Sequence, residues 1–223
     1  MSERDLMHYE IEPGIVIKTE NAAKPESQSS TFLKLLLADL PHVSSSVDFG
    51  CGKLRYCDAI LEKTDSLAVV DSEIQLSREQ ILNGTKSTIR DIIDRSNRIR
   101  IFNDVEFANL HEYFDRAFCI NVLSAIPVIA RRRQVMEVIR SHLRPKGACL
   151  YAVEYRNSDF NRMRSMPNAR PWEDGFLIDS LRGFSFYGLI PPDYLVSMAK
   201  RAGFSICDMR CNEGSVYVWA HRA

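Results

Sequence analysis

Two glycines directly after a predicted strand are the residues of this sequence best suited to bind a ligand. The chain runs Val47-Asp48-Phe49-Gly50-Cys51-Gly52, and a helix is predicted to follow. Glycines at such a place let the backbone approach a ligand closely and present amide donors to it. In open α/β sheets, ligands bind outside the carboxyl ends of the strands. The loop is therefore a candidate binding site for a nucleotide-like molecule.

Two common phosphate-binding patterns do not match this loop. A P-loop requires Gly-x-x-x-x-Gly-Lys-Ser/Thr, and this chain has Leu54 directly after Gly52-Lys53. A dinucleotide fingerprint requires a third glycine where this chain has Arg55, because that glycine permits close packing of the helix on the strand. A Gly-x-Gly pair alone is a weak signal, since plain tight turns also contain it. The surrounding residues must decide what the loop binds.

Acidic residues at later predicted strand ends complete an ordered set. Asp48-x-Gly50-x-Gly52 is followed by Asp71 at the end of one predicted strand and by Asp104 just after the next. This order resembles the class I S-adenosylmethionine-dependent methyltransferases. The resemblance covers about residues 46–222 and includes Leu143-Arg144-Pro145-Lys146-Gly147-Ala148, which matches the turn before the family's fifth strand. It implies methyl transfer as the activity and S-adenosyl-L-methionine as the cofactor.

The resemblance also implies which residues bind the cofactor, each of them at or just after a strand end. They are Asp48, Gly50, Cys51, Gly52, Asp71, Ser72, Asp104, Val105 and Asn121. In that family the glycine loop holds the methionine part, and the acids at the positions of Asp71 and Asp104 meet the ribose hydroxyls and the adenine amino group. Val105 would add an apolar or backbone contact, and Asn121 would lie near the reacting methyl group. The alternative for both acids is N-capping of the following helix.

The chain departs from the family pattern at two places. Leu54 stands where the family often has a third glycine, so the loop is expected to sit slightly differently. The stretch between Asp71 and Asp104 is unusually long. It is interpreted as two helices, residues 73–82 and 85–94, separated by a break at Asn83-Gly84.

The residues that align the methyl acceptor should follow the fourth and fifth strands. Transfer from a sulfonium is an in-line displacement, so the protein mainly holds nucleophile and methyl about 3–3.5 Å apart and removes a proton where the nucleophile carries one. The candidate catalytic residues are Asn121, Glu154 and Tyr155. Glu154 ends an apolar strand, where burial would raise its pKa toward that of a working base. The alternative for Glu154 is a structural ion pair with a nearby arginine.

Residues 155–190 interrupt the path from the fifth strand to the last predicted helix and are the expected cover of the acceptor site. Arg162, Arg164, Trp172 and Tyr187 are the candidate substrate-binding residues, because arginines with aromatic rings suit a planar or anionic acceptor. The alternative is an ordinary small subdomain with its own apolar core. A small-molecule or anionic, ring-containing acceptor is favoured. A nucleic-acid acceptor and a non-catalytic, methyltransferase-like partner subunit are the two alternatives.

Composition limits the class of protein. The 223 residues hold 29 Lys+Arg and 29 Asp+Glu, and this balance argues against an obligate, charge-driven nucleic-acid binder. The length fits a single domain, here residues 1–223, with residues 1–45 as an N-terminal extension and helix. No apolar run approaches the roughly 20 residues that span a bilayer, so a cytoplasmic protein without a membrane partner is expected. The six cysteines form no CxxC pair, and we expect no metal.

Short apolar strands that alternate with helical patterns must position these residues. Strands are predicted at 11–18, 46–49, 67–70, 99–102, 117–122, 148–153, 204–210 and 215–220, and helices at 32–40, 128–143 and 191–203. Strands separated by helices indicate crossover connections and a parallel sheet. The last two strands, joined by a turn with Asn and Gly, indicate a hairpin. The predicted fold is therefore α/β and Rossmann-like, a mostly parallel seven-stranded sheet that ends in an antiparallel hairpin, with helices on both faces.

Overall fold

The computed structural model describes residues 6–7, 9–82, 84–94 and 96–223. The strands are β1 Tyr9–Glu12, β2 Ile15–Ile17, β3 Val43–Phe49, β4 Thr64–Asp71, β5 Gln80–Leu82, β6 Thr85–Ser87, β7 Ile99–Asn103, β8 Phe114–Ile120, β9 Leu143–Glu154, β10 Ala169–Trp172, β11 Gly175–Ile178, β12 Ser185–Gly188, β13 Phe204–Asn212 and β14 Ser215–Arg222. The α-helices are α1 Thr31–Ala38, α2 Cys57–Leu61, α3 Glu73–Ser77, α4 Ile89–Ile93, α5 Asp104–Ala108, α6 Ile129–Ser141, α7 Ser158–Met163 and α8 Pro192–Arg201.

A seven-stranded sheet in the order β13-β14-β9-β8-β3-β4-β7 forms the centre of the protein. The pairs from β9 to β7 are parallel, and β14 pairs antiparallel with both β9 and β13. The predicted sheet and its terminal hairpin are thus confirmed. The chain moves outward from β3 in one direction through β4 and β7, and in the other through β8 and β9. The carboxyl ends of β3 and β8 therefore flank the switch point at which such sheets bind ligands.

Both faces of the sheet are buried, as a parallel sheet requires. Phe49 and Cys119 pack with α6 and α8 on one face, whereas Val69 and Phe118 pack with α1 and α2 on the other. Successive residues of a strand point to opposite faces, which explains why neighbouring residues such as Phe118 and Cys119 join different clusters. Helices on both faces are therefore confirmed.

Three local predictions are corrected by the structure. The predicted strand 11–18 is the β1–β2 hairpin, because Gly14 adopts φ +80° between Glu12 and Ile15. The predicted helices 73–82 and 85–94 are each cut to one short helix, α3 and α4, with the β5–β6 hairpin between them. Gln80 and Leu82 are buried while Ile81 is 59% exposed, which is the alternation of a strand and not the period of a helix. Asn83, part of the predicted break, lies outside the described residues.

The turn expected at Pro145-Lys146-Gly147, before the fifth strand, lies inside a longer strand. β9 begins at Leu143, and its pairing with β8 shifts register between Phe114 and Arg116. Lys146 there adopts φ +66°, so the irregularity bends the strand without ending it. Residues 155–190 form α7 and the antiparallel sheet β10-β11-β12, with a small apolar cluster around Phe160 and Phe176.

In the described ranges, no helix is long and apolar enough to cross a membrane. No group of three or more His, Cys, Asp or Glu side chains in those ranges could hold a metal ion. The six cysteines are free thiols; four are buried, and Cys207 and Cys211 are exposed.

A buried ion pair fastens the inserted sheet to α6. Arg132 is fully buried, unlike the solvated helix face that its neighbours Arg131 and Arg133 suggest. Its guanidinium donates to both carboxylate oxygens of Asp174, in the turn between β10 and β11, and to the Ile126 carbonyl oxygen at 2.9 Å. A buried charge is tolerated when it is paired and hydrogen-bonded in this way. The Asp174 carboxylate therefore stabilises the Arg132 guanidinium in its buried position.

Replacing Asp174 with Ala should destabilise the protein because it leaves the Arg132 charge buried without a partner. We expect the free energy of unfolding to fall by about 3 kcal/mol. The matched control is Glu137→Ala, which breaks the exposed Arg133–Glu137 pair on the same helix and should cost about 0.5 kcal/mol. Urea unfolding measures both. Equal losses in the two variants would contradict the assigned role of Asp174.

Candidate functional site

A cavity of about 730 Å³, counting its open mouth, lies at the carboxyl ends of β3, β4 and β8. We call it the main cavity. Its walls come from the glycine loop after β3, from the ends of β4 and β8, and from an N-terminal stretch that includes residues 19–24. The main cavity therefore lies where the topology predicts a ligand.

The glycine loop holds its shape with its own amides. Gly50 N and Cys51 N both donate to the Val70 carbonyl oxygen, at 2.8 and 3.1 Å, and Gly52 N donates to Asp71 Oδ2 at 2.8 Å. Three consecutive amides thus tie the loop to β4, whereas the sequence suggested that they face a ligand. A ligand can therefore approach the backbone of the loop closely and contact the carboxylates beside it.

Glycine is required at position 50 by both backbone and space. Gly50 adopts φ +78°, a conformation that side chains with a Cβ rarely adopt. A Cβ on Gly50 would lie 2.2 Å from Val122 Cγ2. The loop after β3 therefore packs closely against the segment after β8. This contact lies at the main cavity, where the two strands end.

Asp48 is a buried carboxylate without a hydrogen-bond donor among the described residues. It lies at the end of β3, is 4% exposed and lines the main cavity. Burial, and then the nearby charge of Asp71, raise the pKa of Asp48 to about 7, against a smaller opposing effect of Arg55. An unpaired buried carboxylate is costly. A positively charged ligand group in the main cavity would relieve that cost.

Asp71 is the second carboxylate of the main cavity. It is 7% exposed, and it accepts the Gly52 amide and, at 2.8 Å, the amide of Ser72. Burial raises the pKa of Asp71 to about 6, although both amides act in the opposite direction. Ser72 lies outside the main cavity and caps α3 by accepting from Gln75 N.

Gln75 is a wall residue that the sequence reasoning missed. Its amide nitrogen donates to the Gly52 carbonyl oxygen and, at 3.2 Å, to Gln80 Oε1. Its own Oε1 is buried and has no partner in the described part of the chain. The side chain braces the glycine loop from the side of α3. Its position four residues after Asp71 is the only signal for it in the sequence.

Asp104 and Val105 are not brought to the main cavity. Asp104 is buried, and its Oδ2 accepts the amides of Leu6 and Met7 at 2.7 and 3.0 Å. Val105 is 37% exposed. The geometry therefore gives no support to their predicted contacts with adenine. Asp104 instead anchors an N-terminal segment whose Met7 and Tyr9 do line the main cavity.

The N-terminal strap, residues 18–24, forms one side of the main cavity. Lys18 N donates to the Phe184 carbonyl oxygen at 2.8 Å, and Asn21 donates to the Arg182 carbonyl oxygen at 3.3 Å. Arg78, beyond α3, donates to the Glu20 carbonyl oxygen at 2.7 Å. All three bonds end on backbone carbonyl oxygens, whose positions depend on the path of the chain and not on a residue pattern. The strap was therefore not predicted.

Asn121 stands between the main cavity and a second space. It adopts φ +60°, and its amide donates to the Ala152 carbonyl oxygen at 2.7 Å. The second space, about 330 Å³, is here called the acceptor pocket. It is lined by Ala22, Lys24, Arg55, Asn121, Ser124, Ala125, Glu154 and Tyr187. Five of these also line the main cavity, namely Ala22, Lys24, Arg55, Asn121 and Ala125, so the two spaces adjoin.

Glu154 faces the acceptor pocket with three donors around its carboxylate. Tyr187 Oη and Asn157 Nδ2 donate to Oε2, the latter at 2.6 Å, and Lys24 Nζ lies 3.6 Å from Oε1. Burial alone would raise the pKa of Glu154, but these three groups outweigh it and hold the pKa below its ordinary value. The predicted rise toward a working base is therefore wrong. Burial raises the pKa of Tyr187 well above its usual range, and the Glu154 carboxylate raises it further.

The other predicted acceptor residues lie away from both spaces. Tyr155 pairs through its backbone with Gly214 and packs against the core. Arg162 is 71% exposed beside Asp159, and Arg164 is exposed. Trp172 is half-buried with the Arg170 guanidinium 5.4 Å from its ring centre. Of the four predicted substrate-binding residues, only Tyr187 lies in the acceptor pocket.

Comparisons with known proteins match this architecture. A family model described as "Methyltransferase domain" matches residues 47–149. The chain is 31% identical over 208 residues to an uncharacterized protein of Escherichia coli (strain K12), YmfD, and the match covers 92% of each chain.

Solved structures share the fold at low identity. One is an O-methyltransferase family protein from Burkholderia thailandensis, with TM-score 0.61 and 14% identity over 87% of this chain. The match spans 56% of that protein's chain. Another is CalS10 from Micromonospora echinaspora, an amino pentose methyltransferase solved with S-adenosylmethionine bound. Its TM-score is 0.58, its identity is 13%, and the match covers 97% of this chain and all of that one.

Replacing Asp48 with Asn should stabilise the ligand-free protein at high pH and change little at low pH. The pKa of Asp48 is about 7 in the folded state against 3.8 as its ordinary value. The folded state thus binds that proton more tightly, and stability is lost as the pH rises between the two values. An amide escapes this loss. We expect the stability difference between variant and wild type to grow by about 2 kcal/mol from about pH 5 to pH 8, as measured by urea unfolding.

The matched control for this measurement is Asp208→Asn in β13, where the side chain is 40% exposed beside Arg210. Its stability difference from wild type, measured over the same pH range, is the reference for the Asp48→Asn difference. A difference for Asp48→Asn that stays constant over the same range would contradict the picture of an unpaired, buried carboxylate.

Proposed function

The chain belongs to the class I S-adenosylmethionine-dependent methyltransferases, and we propose that it methylates a small molecule bound in the acceptor pocket. Because the chain belongs to this family, its activity is methyl transfer and its cofactor is S-adenosyl-L-methionine. The residues that bind the cofactor and the nature of the acceptor are inferred below from this chain's own contacts.

The residues of the main cavity fit the cofactor. When bound, S-adenosylmethionine supplies a methyl group on a cationic sulfonium, and its methionine end carries an ammonium group. Asp48 is a buried carboxylate without a donor, as a site for a cationic group requires. Asp71 keeps acceptor capacity beyond its two amide donors, since an ionised carboxylate offers about four lone-pair sites. We therefore assign the methionine end to Asp48 and the loop Gly50-Cys51-Gly52, and the ribose hydroxyls to Asp71.

The observation that carries the proposal is the meeting of the two spaces at Asn121. A displacement in line requires the nucleophile and the methyl group to approach within about 3–3.5 Å from opposite sides. Asn121, at the end of β8, lines both the main cavity and the acceptor pocket. We infer that Asn121 positions the reacting methyl group and that Glu154 and Tyr187 position the acceptor.

The size and cover of the acceptor pocket favour a small molecule over a nucleic acid. The pocket is about 330 Å³, and Ala22 and Lys24, at the carboxyl-terminal end of the strap, form part of its wall. Arg162 and Arg164, the residues expected to contact an anionic acceptor, lie outside it. A polyanionic acceptor would also meet a chain with no excess of positive charge.

Calorimetry with S-adenosylhomocysteine tests the cofactor site. Asp71→Asn should weaken binding about 10- to 100-fold, because hydrogen bonds to a charged group contribute about 1.5–3 kcal/mol. Asp208→Asn, far from the main cavity, should bind as wild type does. Absence of binding to the wild-type protein would overturn the assignment of the main cavity, and unchanged binding by Asp71→Asn would overturn the role of Asp71.

A further inference from the structure

Among the described residues, Glu154 is the one carboxylate that lines the acceptor pocket. It ends β9, next to β8, whose end provides Asn121. Its side chain is 20% exposed, so it can still be reached from the pocket. The groups that surround it are all donors: a phenol from Tyr187, an amide from Asn157 and the ammonium of Lys24. A carboxylate surrounded only by donors is held in its ionised form.

An ionised, donor-bound carboxylate favours one class of acceptor over another. An alcohol that accepts a methyl group must lose its proton, and this calls for a base that takes the proton up. The contacts of Glu154 oppose that role, since protonation would break them. A neutral amine reacts through its lone pair and becomes positively charged as the new bond forms. A fixed negative charge next to that nitrogen stabilises the developing charge.

Lys24 shows that the site accepts a nitrogen cation. Its ammonium reaches the pocket from the carboxyl-terminal end of the strap and lies 3.6 Å from Glu154 Oε1, beyond hydrogen-bond distance. The Asn157 contact is much shorter, at 2.6 Å. The Lys24 side chain is 39% exposed, so it can move away without leaving a buried charge of its own. Of the three donors, Lys24 is therefore the one that a ligand can replace.

Arg55 is the other charged side chain that lines the acceptor pocket. Its guanidinium donates to the Gln28 carbonyl oxygen at 3.1 Å and lies 4.8 Å from the ring centre of Tyr56. It makes no ion pair with Glu154 in the described part of the chain. When the Lys24 ammonium moves away, Glu154 therefore loses its neighbouring cation. A ligand replaces that cation only if it carries an amine.

We propose that the acceptor presents an amine nitrogen to Glu154, in the place that the Lys24 ammonium occupies, with Tyr187 and Asn157 fixing the carboxylate. This rests on the proposed function and names the class of its substrate. An ammonium group bound there would first release a proton to water. The neutral nitrogen would then form a bond to the methyl carbon as the carbon–sulfur bond breaks, with that bond's electron pair staying on sulfur. The nitrogen then carries the positive charge next to Glu154 and releases a proton to water.

Removing the lysine side chain provides a direct test. Lys24→Ala deletes three methylene groups and the amine, and n-propylammonium supplies these same atoms. Binding to the Lys24→Ala protein is followed by NMR titration, with n-propanol as the matched uncharged probe. We expect n-propylammonium to bind at least about tenfold more tightly than n-propanol, in line with the value of a charged hydrogen bond. Methylation of the amine is then followed by mass spectrometry in the presence of S-adenosylmethionine.

Two variants make the result specific. Lys24→Met fills the same space without charge, and Lys24→Ala combined with Glu154→Gln keeps the shape but removes the carboxylate. Neither should bind n-propylammonium. Equal binding of n-propanol, or equal binding after Glu154→Gln, would overturn the inference. Binding without methylation, in a protein that still binds S-adenosylhomocysteine, would also overturn it and leave the cofactor site intact. If the wild-type protein does not bind S-adenosylhomocysteine, the proposed function itself is overturned.

Discussion

Two carboxylates buried close together at the ends of neighbouring strands are the constraint on which the site depends. Asp71 shapes the glycine loop by accepting the Gly52 amide, and Asp48 in the same cavity has no donor among the residues that the structure describes. Burial raises both pKa values, and the charge of Asp71 raises that of Asp48 further. The two-sided core of the sheet must therefore provide enough stability to hold an arrangement that is unfavourable without a ligand. Functional sites commonly keep such locally unfavourable groups.

Much of the fold could be predicted because its signals are local. Apolar runs that end at Gly50, Asp71 and Asn121 mark parallel strands, and the turn before Ser215 marks the hairpin. The β5–β6 hairpin was missed because each strand is only three residues long, too short for an alternating pattern to stand out from a helix. Its pairing depends on a tight turn at Gly84, where φ is +79°.

The site could be predicted only in part, and the division has a physical cause. Asp48, Gly50 and Asp71 lie at strand ends, where strand order alone brings them together. Asp104 also follows a strand, yet its carboxylate is used by the Leu6 and Met7 amides, which are 98 and 97 residues away in sequence. The strap is held by bonds to backbone carbonyl oxygens, and these acceptors leave no trace in the side-chain pattern. Glu154 was found, but Lys24 and Tyr187 reach it from distant segments and, together with the nearby Asn157, reverse the expected direction of its pKa.

The strap has a consequence for the order of events in turnover. Ala22 and Lys24 belong to the walls of both spaces, so a displacement of residues 18–24 opens the main cavity and the acceptor pocket together. Under the proposed function, the cofactor and the acceptor would then enter through one shared opening, and neither space could be exposed to water without the other.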